Sequence, residues 1–406
     1  MINQRIINTL FLAALKIIQS GIGFIFGLIL STIIGLDFYG LYFKILKYIQ
    51  LSTTISFLGY PVLLARSVNN NERSVIIKTS VGLSILSSFI ILSTIIYFDL
   101  NLLSSISAIL LSYFLLLFNI FYKIYESFEL SKMNSWKSSI INLSLLHAIL
   151  TIIILIYKYN NLSFTFDLLI KYIIIITLIF VTYIILKFYR FLRNHTSRID
   201  FRSFKNSLQI FSSKLNLILV NKFDVIMLAS FLSNEQIGAY ALCSRIPSLA
   251  ESISNAVRSN TIGVLSRKYN DGKMTEFLKI YFNSWMFSVT MSAVLALFYI
   301  LFFNQLMSFF DLKINLSLSS LILFVLPNTI NLIFGQVGTL LNVTKQEKEL
   351  FKASLISFPI ALCCITIGTY FESVESFLLG LSAAIFTINI IKLFYVYRTY
   401  KNFIKL

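Results

Sequence analysis

Charge is scarce in this chain. Only 13% of its 406 residues are Asp, Glu, Lys or Arg, while 57% are hydrophobic. Mean hydropathy is +0.82. A water-soluble domain of this length has no use for so much apolar surface, which excludes a soluble enzyme or binding module. Cysteine is limited to Cys243, Cys363 and Cys364, all inside apolar runs and without metal-ligand spacing, so a disulfide framework, a zinc site and redox chemistry are not expected. The two histidines, His147 and His195, have no ligand company; His147 reads as a packing residue and His195 lies in a basic stretch. Proline occurs four times, at Pro61, Pro247, Pro327 and Pro359, each time interrupting an apolar run where it can bend a helix. No glycine-rich phosphate loop of the Gly-x-x-x-x-Gly-Lys kind is present, so ATP hydrolysis by this chain has no basis. Nor is there a carboxylate pair or a nucleophile–base motif, and the chain is not expected to be an enzyme.

Long apolar runs fill the chain instead. Twelve are about as long as a helix needs to be to cross a bilayer: 9–34, 39–64, 75–98, 102–122, 138–157, 168–189, 208–232, 237–263, 279–303, 316–343, 351–371 and 374–397. None alternates as the strands of a β-barrel would. The first run follows only Arg5 and no small-residue cleavage site, so it is expected to be a retained helix rather than a signal peptide. The fold class expected is therefore all-α and integral to the membrane.

The net charge of +17 is distributed, not pooled. With the N-terminus placed in the cytoplasm, 24 Lys and Arg fall on the inner side of the spans, and only Lys158 and Lys313 on the outer side. This positive-inside bias puts both termini in the cytoplasm, and nucleic acid is not needed to explain the basicity. Outer connections such as 35–38, 99–101 and 372–373 are too short for an external domain. The longest inner connection is basic. It suggests an N-terminal lobe over 1–190, a linker over 191–206 and a C-terminal lobe over 207–406, each lobe with six spans.

Those lobes are related. Asp37-Phe38-Tyr39-Gly40-Leu41-Tyr42 returns 198 residues later as Glu235-Gln236-Ile237-Gly238-Ala239-Tyr240. The sequence places each copy in a turn, tight and glycine-dependent. The same offset superimposes Lys16 on Lys214 and Lys47 on Arg245. Equal, even numbers of spans make this a parallel repeat about an axis along the membrane normal.

Eight basic residues fall at or inside spans. Lys171 is expected to snorkel to the interface, and Lys44 either to snorkel or to line a cavity. Lys16, Lys47, Lys214, Lys222, Arg245 and Arg258 are deeper, and cations there avoid lipid by facing water, an anion or one another. Helical spacing sorts polar residues into stripes: Lys16, Gln19, Gly23 and Gly27 on span one; Lys47, Gln50 and Thr54 on span two; Lys214, Asn221 and Asp224 on span seven; Arg245, Ser248, Ser252 and Asn255 on span eight. Gly23 and Gly27 equally suit close helix packing. Together the stripes describe a central cationic cleft between two lobes. Lys44 and the deeper cations are candidate anion ligands. Asp224 either neutralises Lys214 or Lys222 or serves as a coupling carboxylate, and Glu251 either reaches Arg258 or does the same.

Gly35-x-x-x-x-Gly40-x-Tyr42, Phe223-Asp224-x-x-x-Leu228 followed by Gly238-x-Tyr240, Leu58-Gly59-Tyr60-Pro61 before Arg66, and Gly335 with Leu341-Asn342-Val343-Thr344-Lys345 carry a family likeness. In this order, and across essentially the whole chain, they resemble the polysaccharide transporters of the multidrug/oligosaccharidyl-lipid/polysaccharide (MOP) exporter superfamily, most of all the O-antigen (Wzx-type) flippases. The resemblance implies twelve helices in two pseudo-symmetric six-helix lobes, a MATE/MOP-like arrangement. It also implies movement of an undecaprenyl-diphosphate-linked oligosaccharide, an O-antigen or capsule repeat unit, from the cytoplasmic to the periplasmic leaflet by alternating access. An H⁺ or Na⁺ gradient would drive this with no cofactor, and glycan polymerase and chain-length proteins would be the partners. On that view Lys16, Lys44, Lys47, Lys214, Lys222, Arg245 and Arg258 attract the diphosphate or acidic sugars. Gln50, Ser248, Ser252 and Asn255 contact sugar hydroxyls, and Asp224 or Glu251 handles the coupling ion. Spans one to six hold no carboxylate well inside the membrane, a departure from drug-extruding relatives that disfavours a MATE-type cation antiporter. A membrane glycan polymerase or ligase is disfavoured by the short outer loops.

Overall fold

The computed structural model describes residues 2–67, 70–99, 106–132, 143–195, 211, 215–335, 337–344 and 346–404. Among them the regular structure is helical and no strand occurs. In chain order the helices are α1 (Ile2–Ile33), α2 (Leu36–Ser56), α3 (Tyr60–Arg66), α4 (Asn70–Phe98), α5 (Ile106–Ser131), α6 (Leu143–Tyr159), α7 (Phe166–Arg193), α8 (Leu215–Lys222), α9 (Asp224–Leu228), α10 (Asn234–Asn270), α11 (Met274–Phe309), α12 (Leu318–Ile333), α13 (Val337–Val343), α14 (Glu347–Tyr370) and α15 (Val374–Ile404). Every one of the twelve apolar runs contains helix. Among the described residues, seven helices are long and apolar enough to cross a membrane, and two shorter apolar stretches, Ile18–Ile33 and Leu143–Tyr159, accompany them. Spans two, seven and eight are not in either group, and they carry most of the polar candidates.

Helix boundaries follow local chemistry. Gly35 (φ 108) makes the turn between α1 and α2, a backbone conformation open to glycine because it has no Cβ. The repeated hexapeptide is therefore not a turn, as the sequence had suggested. Its residues form the first turns of α2 and α10, where Asp37 and Glu235 oppose the positive end of the helix dipole. Ser233 and Gln236 add a capping box to α10. Proline behaves in two ways. Pro61 opens a new helix, α3, behind the left-handed Gly59, whereas Pro247, Pro327 and Pro359 lie inside α10, α12 and α14.

The chain divides into two compact units, Ile25–Phe211 and a second made of Met1–Phe24 with Ser212–Leu406. The division falls inside α1. Within the first unit α2 packs on α4 and α5, α4 on α5, α5 on α7, and α6 on α7. The second unit repeats each pairing, with α10 on α11 and α12, α11 on α12, α12 on α15, and α14 on α15. The repeat seen as a 198-residue offset is thus also a repeat of packing.

Small residues and polar anchors hold these pairs. A Cβ on Gly27 would lie 2.6 Å from the Tyr39 hydroxyl oxygen, so this glycine is a packing surface for α2. In the α14–α15 hairpin, Gly368 and Gly380 let backbones touch, and a Cβ on Gly380 would meet the Cys364 carbonyl at 2.5 Å. Arg73 donates to the carbonyls of Ser67 and Ser131 and to Asn70, stitching the ends of α3 and α5. Lys187 of α7 bridges to the buried Glu129 of α5 at 2.8 Å and donates to Tyr125.

Candidate functional site

In the first unit, α2 brings its polar residues to two different places. Lys44 is buried, with 3% of its side chain exposed, and pairs with Asp99 at the end of α4 at 2.9 Å. Tyr48, one turn on, donates to the same carboxylate at 2.9 Å. Lys44 therefore neither snorkels nor lines an open cavity. Its charge is met by a carboxylate that the sequence had assigned to an outer loop. Lys47 and Gln50 are half-buried. The ammonium of Lys47 stands 5.4 Å from the centre of the Phe43 ring, and cation–π attraction of this kind helps offset the lost hydration. The Gln50 backbone carbonyl accepts from the Thr54 hydroxyl.

Tyr42 and Tyr240, equivalent in the repeat, hold titratable groups in both units. Tyr42 Oη lies 3.0 Å from His147 Nε2, and the His147 ring stacks on Phe26 at 4.5 Å. Tyr240 donates to Asp224 at 3.4 Å. Phe26 and Asp224 are themselves separated by 198, so one position carries the stacking ring in one unit and the carboxylate in the other. His147 is buried as expected of a packing histidine, though with a polar partner that the sequence did not reveal. Asp224 sits where span seven breaks between α8 and α9, a discontinuity absent from α1.

Among the described residues, the stripe on α10 is more open than that on α2. Arg245 is half-buried, Ser248 and Asn255 are exposed, and Ser252 is half-buried. The Ser248 hydroxyl donates back to the Arg245 carbonyl at 2.7 Å, and Ser252 to the Ser248 carbonyl at 3.2 Å. Both hydroxyls keep their acceptor lone pairs for a ligand. Lys222 is half-buried at the end of α8. Lys214 and the side chain of Lys16 lie outside the described residues. Glu251 and Arg258 act on one another electrostatically, as the sequence allowed, but Arg258 also feels Tyr281 of α11 and Lys392 of α15. Lys392, counted from the sequence among the inner-side cations, lies six residues from the end of the apolar helical stretch Val374–Arg398. Among the described residues no cluster of His, Cys, Asp and Glu could hold a metal ion.

The all-helical chain, with its repeated packing, has a MOP-like membrane fold. Solved structures of this class match across nearly the whole chain. A MATE family multidrug transporter of the MOP superfamily in its inward-facing conformation aligns with a TM-score of 0.64 at 13% identity, over 95% of this chain and 94% of that one. The MATE multidrug transporter DinF-BH gives 0.64 at 15% identity, over 96% and 95%. A mutant of the Vibrio cholerae MATE transporter VcmN gives 0.59 at 14%, over 98% and 97%. A comparison with curated proteins finds no match. The profile of the family described as "Polysaccharide biosynthesis protein" matches residues 6–267, and the chain belongs to that family.

Proposed function

We infer that this protein carries a lipid-linked oligosaccharide, joined to its polyprenyl anchor by a diphosphate, from one leaflet of a bacterial plasma membrane to the other. The observation that supports this most directly is the α10 face. Arg245 stands there above Ser248, Ser252 and Asn255, an order that suits a diphosphate followed by sugar hydroxyls. Membership of a polysaccharide biosynthesis family points to a glycan rather than a drug as cargo. Lys47, at the equivalent position of the repeat, would contribute a second cation to the same task; Lys16, Lys214 and Lys222 remain candidate anion ligands, and Gln50 a candidate sugar contact. Lys44 is better understood as the partner of Asp99. Asp224, at a helix break and bonded to Tyr240, is the carboxylate best suited to exchange a proton or Na⁺ during alternating access. The positive-inside bias places the termini in the cytoplasm.

The test is a leaflet assay in a strain lacking the gene. Lipid-linked repeat units should accumulate on the cytoplasmic side. Restoring the wild-type gene should clear them, whereas Arg245→Glu at equal protein level should not. Normal glycan at the surface of the deletion strain would sink the reading. A changed drug susceptibility without any glycan defect would point to the MATE-type alternative.

A further inference from the structure

Helix α11 carries two kinds of surface. Val294, Leu297, Phe298, Leu301 and Phe302 stand exposed along it, a face suited to lipid. Asn304 ends that face, and the chain turns polar from there. This end of α11 is opposite the turn that holds Arg267, Lys268 and Lys273, so the positive-inside bias makes it the outer one.

Local chemistry fixes the segment that follows. Asp311 is left-handed, at φ 54, a conformation that Asp tolerates better than most residues. The N–H groups of Asp311 and Leu312 bond back to the Ser308 and Met307 carbonyls, each at 3.0 Å, which gives α11 a Schellman ending. Asn304 then clamps the segment further on. Its side chain donates to the Leu316 carbonyl at 2.8 Å and accepts from the Leu316 N–H at 3.0 Å. Leu312 and Ile314 are buried beneath.

Between the helix and this pinned segment lies a hollow of about 350 Å³, lined by Gln305, Ser308, Leu312, Lys313, Ile314 and Asn315 as well as by Asn304. Small-molecule sites begin at about 300 Å³. The side chains of Gln305, Lys313 and Asn315 are exposed and make no hydrogen bond or ion pair among the described residues. The backbone N–H groups of Lys313, Ile314 and Asn315 have no acceptor among them either. Donors therefore outnumber acceptors here, and the one full charge in the lining is an ammonium. Only Lys158 and Lys313 put a basic residue on the outer side, so this cation runs against the charge bias of the chain.

We propose that the hollow binds an acidic sugar residue, a hexuronate or its like, at the outer surface. Each part of such a ring has a counterpart. Its carboxylate takes the Lys313 ammonium, its hydroxyls pair with the Gln305 and Asn315 amides, and its C–H face lies on Leu312 and Ile314. An oligosaccharide leaving the carrier would meet this site on delivery. That last step rests on the carrier reading, whereas the sugar site stands on its own.

Saturation-transfer NMR on the full-length protein in phosphatidylcholine nanodiscs tests it, with methyl β-glucuronide, methyl β-glucoside and glycerol 3-phosphate as probes. The glucuronide should bind about tenfold more tightly than the glucoside, the weight of one charge-assisted hydrogen bond. Lys313→Gln should abolish that preference and Lys313→Arg should keep it, both with wild-type melting temperatures. Gln305→Leu with Asn315→Leu should weaken both sugars, and Arg245→Gln should weaken neither. No glucuronide binding, or a preference that survives Lys313→Gln, overturns the proposal. Equal binding of glycerol 3-phosphate also overturns it, by assigning the hollow to a phospholipid headgroup. Should the glucuronide bind as expected while the deletion strain shows no leaflet defect, the site stands and the flippase reading falls.

Discussion

Lys44 and Asp99 illustrate how a single buried pair is settled at the scale of the residue. With 3% and 12% of their side chains exposed, neither ion can be left alone without a large penalty. Asp99→Asn is expected to lower stability by about 3–5 kcal/mol, because Lys44 keeps its charge and loses its counter-ion. Adding Lys44→Met should recover most of that loss, since the amide oxygen that replaces the carboxylate still accepts from Tyr48. Thermal melting of the wild type and both variants in detergent checks both statements, and a mild single variant would show that Lys44 reaches water. The sequence made Lys44 visible as a cation in an apolar run. It could not reveal Asp99 as its partner, because the two are 55 positions apart and Asp99 reads as one more outer-loop acid.

At the scale of the element, the broken helices are the informative ones. The break between α12 and α13 turns on Gly335, at φ 70, whose missing Cβ would lie 2.7 Å from the Trp285 ring. Gly335→Ala combines left-handed strain with a steric clash and should cost at least about 1–2 kcal/mol. A fall in melting temperature, relieved by Trp285→Leu only in its steric part, is the expected pattern. In the α14–α15 hairpin, Gly380→Val drives its added carbons into the Cys364 carbonyl and should cost about 1–3 kcal/mol through overpacking. A wild-type melting curve for that variant would contradict backbone contact there. Apolar length made nearly every helix legible in the sequence. Where a helix starts was less so: the hexapeptide suggested a turn because glycine and an acid often mark one, yet Gly40 is an ordinary buried helical residue. The break ahead of Asp224 has no glycine or proline to announce it.

For the whole molecule, the offset of 198 governs packing as well as sequence, and chemistry less strictly. Each helix pairing in the first unit has its counterpart in the second, while the groups held by Tyr42 and Tyr240 differ in kind. Lys47 and Arg245 are the equivalent cations that both remain half-buried. If one substrate uses both, Lys47→Gln and Arg245→Gln will not be independent. The double variant should differ from the sum of the singles by at least about 0.5 kcal/mol in glycan export rate, the usual mark of residues acting on a common partner. Strict additivity would mean that the two halves handle different ligands. The stripes on spans two and eight were legible from spacing alone, because polar residues in an apolar run stand out at every helical turn.

The Trp285 indole donates to the Leu332 and Ile333 carbonyls at 3.1 and 3.2 Å, across the final turn of α12. Tryptophan occurs only twice in the chain, and Trp136 is the other. Trp136→Phe therefore leaves one emitter, fixed by its own hydrogen bonds to the edge of a helix break. Any step of a transport cycle that opens this break strips the indole of both acceptors and shifts its fluorescence, so the protein contains a native optical gauge of its own movement.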